Sequence, residues 1–168
     1  MSVFFTSDTF FGRKLTAIER GFSSDEEMFN TYIDNWNSRV SKNDIVYHLG
    51  NFAWDPISCE SSMIHLNGKI NFLVGSYDKH MPEMSLIKIG RHTLIHNQIA
   101  ILPDLNAIIS HWPLMDWPGK DEGVIHIHGG REKTDIENGY RFNANIHNWN
   151  NAPIEFEFFK ELIESNKS

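Results

Sequence analysis

A chain of 168 residues, 40% hydrophobic and 12% aromatic, is long enough to bury a real core, and residues 1–168 are read as a single domain. Its net charge of −7 is spread along the chain without a basic run. That sets nucleic acid aside as a main partner, while a local pocket still has room for one phosphate group. No apolar run approaches the roughly 20 residues of a membrane span, no signal pattern opens the chain, and the lone cysteine, Cys59, has no internal disulfide partner; the expectation is a cytoplasmic protein with no membrane partner.

Val3-Phe4-Phe5 reads as a short buried strand running into Thr6-Ser7-Asp8-Thr9-Phe10-Phe11-Gly12, which sets a carboxylate at a strand end. Ser24 and Glu27 have the spacing of a capping box, and Met28, Tyr32, Ile33, Trp36 and Val40 follow on one face of a helix. Ile45-Val46-Tyr47-His48-Leu49 is the second strand and runs into Gly50-Asn51-Phe52. It is the organising stretch, because ligands in layered sheets gather just beyond strand C-termini. Pro56 opens a helical segment with Ile57, Met63, Ile64 and Leu66 expected inward, and Ile70 to Val74 is a strand ending in Gly75-Ser76-Tyr77-Asp78. The order β, α, β, α, β with a polar loop at each strand end predicts a layered α/β (α+β) fold.

Further along, Leu86 to Ile89 and Thr93 to Ile95 are expected as a hairpin about Gly90-Arg91-His92. Asn106 to Ser110 is a strand ending in His111-Trp112-Pro113, and Gly123 to His128 is another, ending in Gly129-Gly130. Arg141 to Ile146 and Ile154 to Phe158 are the last strands, with a terminal helix from Phe159 to Glu164; residues 115–122 and 131–139 read as exposed loops. Asp8, His111 and His128, all at strand ends, form a nitrogen-and-carboxylate set suited to a metal ion. His48 and His126, inside strands, are read as packing residues or as partners that support the ligand residues.

Six segments, Phe5 to Gly12, Val46 to Phe52, Leu66-Asn67-Gly68, Gly75 to Asp78, Ser110 to Pro113 and His126 to Gly130, occur in an order and spacing that resembles the small calcineurin-like metallophosphoesterases. The resemblance implies a β-sandwich with flanking helices and two metal ions at the strand ends. It also implies what each position should hold, and several do not hold it. Asp-x-His is here Asp8-Thr9-Phe10; Gly-Asp, whose carboxylate bridges the metals, is Gly50-Asn51; Gly-Asn-His-Asp is Gly75-Ser76-Tyr77-Asp78; and Gly-His-x-His is Ile127-His128-Gly129-Gly130. Asp8, His111 and His128 survive as ligand types, whereas Phe10, Asn51, Ser76 and Gly130 replace ligands and Tyr77 takes the catalytic histidine's place.

Two dications about 3.5–4 Å apart need an anionic bridge, which an amide cannot supply. A phenol, with an ordinary pKa of about 10, is a poor acid at neutral pH. The resemblance therefore points to a pseudoenzyme with no cofactor, or one weakly held Mn²⁺ or Zn²⁺ at Asp8, Asn51, His111 and His128. Its role would be binding, foremost to a protein partner as inhibitor or adaptor, with Trp54, Trp112 and above all Trp117 as anchors. A second expectation is capture of a nucleotide in the relic pocket of Phe10, Ser76, Tyr77, Asp78 and Gly130, with Phe10, Tyr77, Trp54 and Trp112 stacking the base and Arg13, Lys79 and Arg131 facing phosphates. A third is slow phosphodiester hydrolysis on one metal held by His111 and His128.

Overall fold

The first strand alternates its side chains between two cores, and that alternation sets the layering. In the computed structural model, which describes residues 1–79, 92–95, 97–130 and 140–165, β1 (Val3–Thr6) lies inside a sheet of order β4-β3-β2-β1-β9. Its neighbours β2 (Ile45–His48), β3 (Lys69–Leu73) and β4 (Thr93–Ile95) continue in parallel, and β9 (Ile154–Glu155) closes the other edge antiparallel. A second sheet has the order β5-β6-β7-β8: β5 (Ile99–Leu102) pairs antiparallel with β6 (Ala107–Ser110), and β7 (Ile125–His128) and β8 (Arg141–Asn143) continue in parallel.

Phe4, Val46, Ile70 and Phe72 belong to one core, filled from the helices by Met28, Tyr32, Trp36, Cys59 and Met63. Those residues come from α2 (Asp25–Arg39) and α3 (Pro56–His65). Phe5 and Leu73 belong to the other core, with Ala107, Ile109, Ile127 and Phe142 of the second sheet and Phe159 and Ile163 of α4 (Phe156–Ser165). Because side chains alternate with a period of two along a strand, adjacent phenylalanines serve opposite layers. The result is the layered arrangement of two sheets with flanking helices that the β, α, β, α, β order predicts. Among the described residues no helix is long and apolar enough to cross a membrane.

Local chemistry explains most boundaries. Ser24 caps α2 by accepting from the Glu27 N–H at 3.0 Å, while the Glu27 carboxylate takes the Ser23 N–H at 2.7 Å, one residue earlier than a regular capping box. Asp55 caps α3 through the Ser58 N–H at 2.9 Å, with Pro56 in the first helical position. The inward face of α3 differs from expectation. Cys59, Ser62, Met63 and the C-cap Leu66 are buried, whereas Ile57 and Ile64 are exposed, so the buried stripe runs i, i+3, i+4, i+7 from Cys59.

Two elements carry no clear periodic signal in the sequence: α1 (Lys14–Glu19), only six residues long, and β5. The terminal helix starts at Phe156 rather than Phe159, because Phe156, Phe159 and Ile163 form its buried face. Residues 86–91 and 131–139 lie outside the described residues, and with them the first arm of the expected hairpin and one expected loop. The second arm, β4, pairs in parallel with β3, Thr93 opposite Asn71.

Phe5 sits at the junction of these layers, stacked on Tyr47 at 5.4 Å and edge-on to Phe159 at 6.1 Å. Phe5→Ala is expected to lower the unfolding free energy by about 3–5 kcal/mol. Ile99→Ala, on the partly exposed β5, should change it by no more than about 0.5 kcal/mol. Chemical denaturation of both variants beside the wild type measures the contrast.

Candidate functional site

Beyond the ends of β1 and β2 the two chains stay stitched together. Leu49 N–H donates to Thr6 O (2.8 Å), Asp8 N–H to Gly50 O (2.9 Å), Phe10 N–H to Asn51 O (3.0 Å), Phe11 N–H to Phe52 O (3.0 Å) and Trp54 N–H to Phe11 O (2.9 Å). This zipper holds Asp8, Phe10 and Asn51 at φ of 57°, 48° and 59°. Left-handed backbone is tolerable for Asp and Asn but costly for a phenylalanine, so it persists only where the surroundings enforce it.

Other loops close in because glycines let them. A Cβ on Gly50 would stand 2.4 Å from His111 Nδ1, and one on Gly75 would stand 2.5 Å from Asn51 N. Asp78 locks the approach: its carboxylate accepts from the N–H groups of Asn51 (2.6 Å), Phe52 (2.9 Å) and Gly75 (2.7 Å). Burial pushes the Asp78 pKa up, and those three donors and the nearby His111 pull it part of the way back. Asp78 is thus committed to the loops and does not restore a ligand position; His80 lies outside the described residues.

The resulting floor brings Asp8, Asn51 and His111 together, all buried, while His128, also buried, stacks on His126 at 5.3 Å at the end of β7. Asn51 Oδ1 accepts from the Tyr77 N–H at 3.1 Å, which fixes the amide orientation. Its Nδ2 then donates to Asp8 Oδ1 at 2.8 Å and lies 3.5 Å from His111 Nε2. Asp8 Oδ2 accepts from Ser7 Oγ at 2.7 Å and from Gly130 N–H at 2.8 Å. His111 Nδ1 must donate to Leu49 O at 2.7 Å, since a carbonyl only accepts, and so its Nε2 lone pair faces Asn51 and Ser76. His128 Nδ1 likewise donates to Gly129 O at 2.7 Å. In this arrangement the carboxylate is ringed by protein donors on both oxygens. The set does not fit a bridged pair of dications. Among the described residues no three His, Cys, Asp or Glu side chains stand together as a group able to hold a metal ion.

Around this floor runs an aromatic rim. Trp54 (46% exposed), Tyr77 (43%) and Trp112 (51%) all present open ring surface, while Phe10 is fully buried and offers no face to a base. Trp112 packs on His111 at 4.6 Å, and Tyr77 packs on Phe10 at 5.6 Å and on Trp54 at 5.7 Å. Arg13, expected to face phosphates, instead lays its guanidinium over these rings. Lys79 is exposed, and Arg131 lies outside the described residues. Trp117 is corrected: it is only 5% exposed, donates its indole N–H to Val124 O at 2.9 Å and packs on His126 at 5.0 Å, so it presents no anchor to a partner.

Asn143 and Asn145, which belong to none of the strand-end motifs, both donate to Gly130 O at 3.3 Å and hold the loop whose N–H reaches Asp8. Their alternation, Asn-Ala-Asn, was the available signal, since alternate residues share a side.

No family model matches the chain. An uncharacterized protein of Methanocaldococcus jannaschii is 29% identical over 177 residues, spanning 98% of this chain and 93% of its own. The crystal structure of a protein of unknown function from Aquifex aeolicus superposes with a TM-score of 0.70 at 18% identity, covering 96% of this chain and 98% of that one. The likeness of fold therefore extends over nearly the whole chain.

Two histidines near the site are buried neutral. Thr9 Oγ1 spends its proton on Phe52 O, so the proton it shares with His48 must sit on His48 Nε2, leaving a bare, unpartnered Nδ1. Ser110 and His126 repeat the logic, with the Ser110 hydroxyl donating to Trp112 O. Burial, with His111 nearby, lowers the His48 pKa from 6.5 to about 3; burial, with His128 and Arg141 nearby, does the same for His126. Because the unfolded chain binds these protons first, the stabilisation is full above pH 6.5 and is lost as pH falls toward 3. Each site should add a slope approaching about 1.4 kcal/mol per pH unit in that window. Thermal melts from pH 7 to pH 4 should show Tm falling with acid, more shallowly in His48→Gln.

Proposed function

We propose that this chain is a metallophosphoesterase-like protein that has given up catalysis and acts by binding, most directly to a protein partner as inhibitor or adaptor, through the aromatic rim over its strand ends. The observation that carries the reading is the Asn51-to-Asp8 hydrogen bond. Where a catalytic site of this kind would hold two acidic groups together with cations, a neutral amide donates to the one carboxylate here, and no charge has to be imported. The half-exposed Trp54, Tyr77 and Trp112 supply the kind of surface on which binding energy concentrates. A cytoplasmic setting agrees with a single cysteine, Cys59, that is buried and has its thiol pKa pushed up by that burial and by the Asp78, Glu60 and Asp55 carboxylates.

One observation favours a second reading, residual one-metal hydrolysis: His111 already holds the tautomer of a metal ligand, with Nδ1 bound to a backbone carbonyl and Nε2 facing the site. A single set of measurements separates the two. The wild type should show no Mn²⁺- or Zn²⁺-dependent rise in Tm and no phosphodiester turnover above its His111→Ala variant. Asn51→Asp should restore a carboxylate pair, lower stability in EDTA by about 2–4 kcal/mol and regain it with Mn²⁺. Metal-dependent turnover by the wild type, abolished by His111→Ala or His128→Ala, overturns the binding reading in favour of the second.

A further inference from the structure

Two rings of the rim and the buried ring beneath them do more than offer surface. Phe10, Trp54 and Tyr77 stand around one point, with Phe10 and Tyr77 at 66° and Trp54 and Tyr77 at 36° between planes. The guanidinium of Arg13 occupies that point, 5.3 Å from the Phe10 centroid, 4.9 Å from Trp54 and 5.8 Å from Tyr77. All three distances lie within the range at which a cation is attracted by a ring face, and the Arg13 side chain is 13% exposed. Two of the walls remain nearly half open to solvent, so the box has a mouth.

Apart from the rings, Arg13 is held by one hydrogen bond to Thr16 Oγ1 at 2.8 Å and a long ion pair to Glu19 at 3.9 Å. An ion pair of that length, with the Glu19 side chain 46% exposed, contributes little. The backbone that carries it leads into α1, a helix that buries Thr16 and Ala17 and turns Leu15 and Ile18 to solvent. Arg13 is therefore a resident whose removal costs mainly its ring contacts, and an incoming group of the same kind replaces those contacts one for one. Two carboxylates near the rings favour such a group, Asp55, which caps α3 one residue from Trp54, and Glu19, which adjoins Arg13, against one further cation, Arg20, 6.0 Å from the Phe10 centroid. The protein as a whole carries −7.

We propose that Phe10, Trp54 and Tyr77 form an organic-cation box, that Arg13 is its built-in competitor, and that the intended guest is an arginine of a basic partner segment. The identity of the guest as a partner's side chain rests on the binding reading above; the box rests on the geometry alone. In a protein whose binding-competent state is only partly populated, apparent affinity falls by that fraction, so removing the internal competitor should tighten binding.

Calorimetric titration with Nα-acetyl-arginine amide and with tetramethylammonium, in EDTA and at constant ionic strength, tests this. Arg13→Gln, with Arg13→Ala as a second replacement should the first fold poorly, should bind either probe saturably and at least tenfold more tightly than the wild type. Adding Tyr77→Ala should undo the gain. An arginine-rich peptide should bind more tightly than a lysine-rich peptide of equal charge. The proposal is overturned if removing Arg13 brings no gain, if Tyr77→Ala leaves the gain intact, or if the two peptides bind equally, which would reduce the effect to net charge. Since no metal or phosphoester enters these titrations, their failure is distinct from a failure of the binding reading, which metal-dependent turnover would expose.

Discussion

The backbone zipper between residues 6–11 and 49–54 is the constraint on which the rest of this end of the molecule depends. It prolongs the β1–β2 pairing past the sheet, forces left-handed backbone at Asp8, Phe10 and Asn51, and so decides what those side chains meet. Asp8 and Asn51 are turned toward each other, and Phe10 is turned away into a hydrophobic seal beneath Tyr77 and Arg13. Asp78 then fastens the β3 loop to the same backbone by three N–H donors. A carboxylate used in this way is a structural tie, and its burial is tolerable because each oxygen is satisfied.

Within that frame a single amide changes the electrostatics. An aspartate in the place of Asn51 would face Asp8 as a like charge at hydrogen-bond distance in a buried site. That arrangement demands a cation or a proton. Asn51 instead supplies donors to Asp8 and toward His111 while its oxygen takes the Tyr77 N–H. The floor thereby becomes self-sufficient in hydrogen bonds. His48 and His126 behave similarly one layer deeper, each with one nitrogen bonded to a hydroxyl and the other bare, which ties the stability of the fold to their remaining uncharged.

The rim is the complement of this sealed floor. Rings that a packed core would bury are left half open at Trp54, Tyr77 and Trp112, whereas Trp117, in an equally polar stretch of chain, is drawn in by Val124 and His126. The difference is one of partners. Trp117 finds a backbone acceptor for its indole N–H and a flat neighbour. Trp54 and Tyr77 pack on each other and on a guanidinium, with Phe10 beneath Tyr77, and Trp112 packs on His111.

Much of this was legible from residues alone. The alternation at Phe4-Phe5, the capping Ser24 and the polar strand ends at Asp8, Asn51, Ser76, His111 and His128 determined the layers and which loops would converge, because period-two burial and strand-end placement are local properties of a chain. The chemical types at the site were equally plain, including the amide at Asn51. What the sequence could not determine was direction. The phase of α3, the inward turn of Trp117, the burial of Phe10 and the placement of Arg13 among three rings depend on contacts between residues distant in the chain, as Tyr77 is from Asn51 and Asn145 from Gly130. Only tertiary structure decides those, since a side chain's partner is set by the three-dimensional competition for donors, acceptors and buried space, which no local spacing encodes.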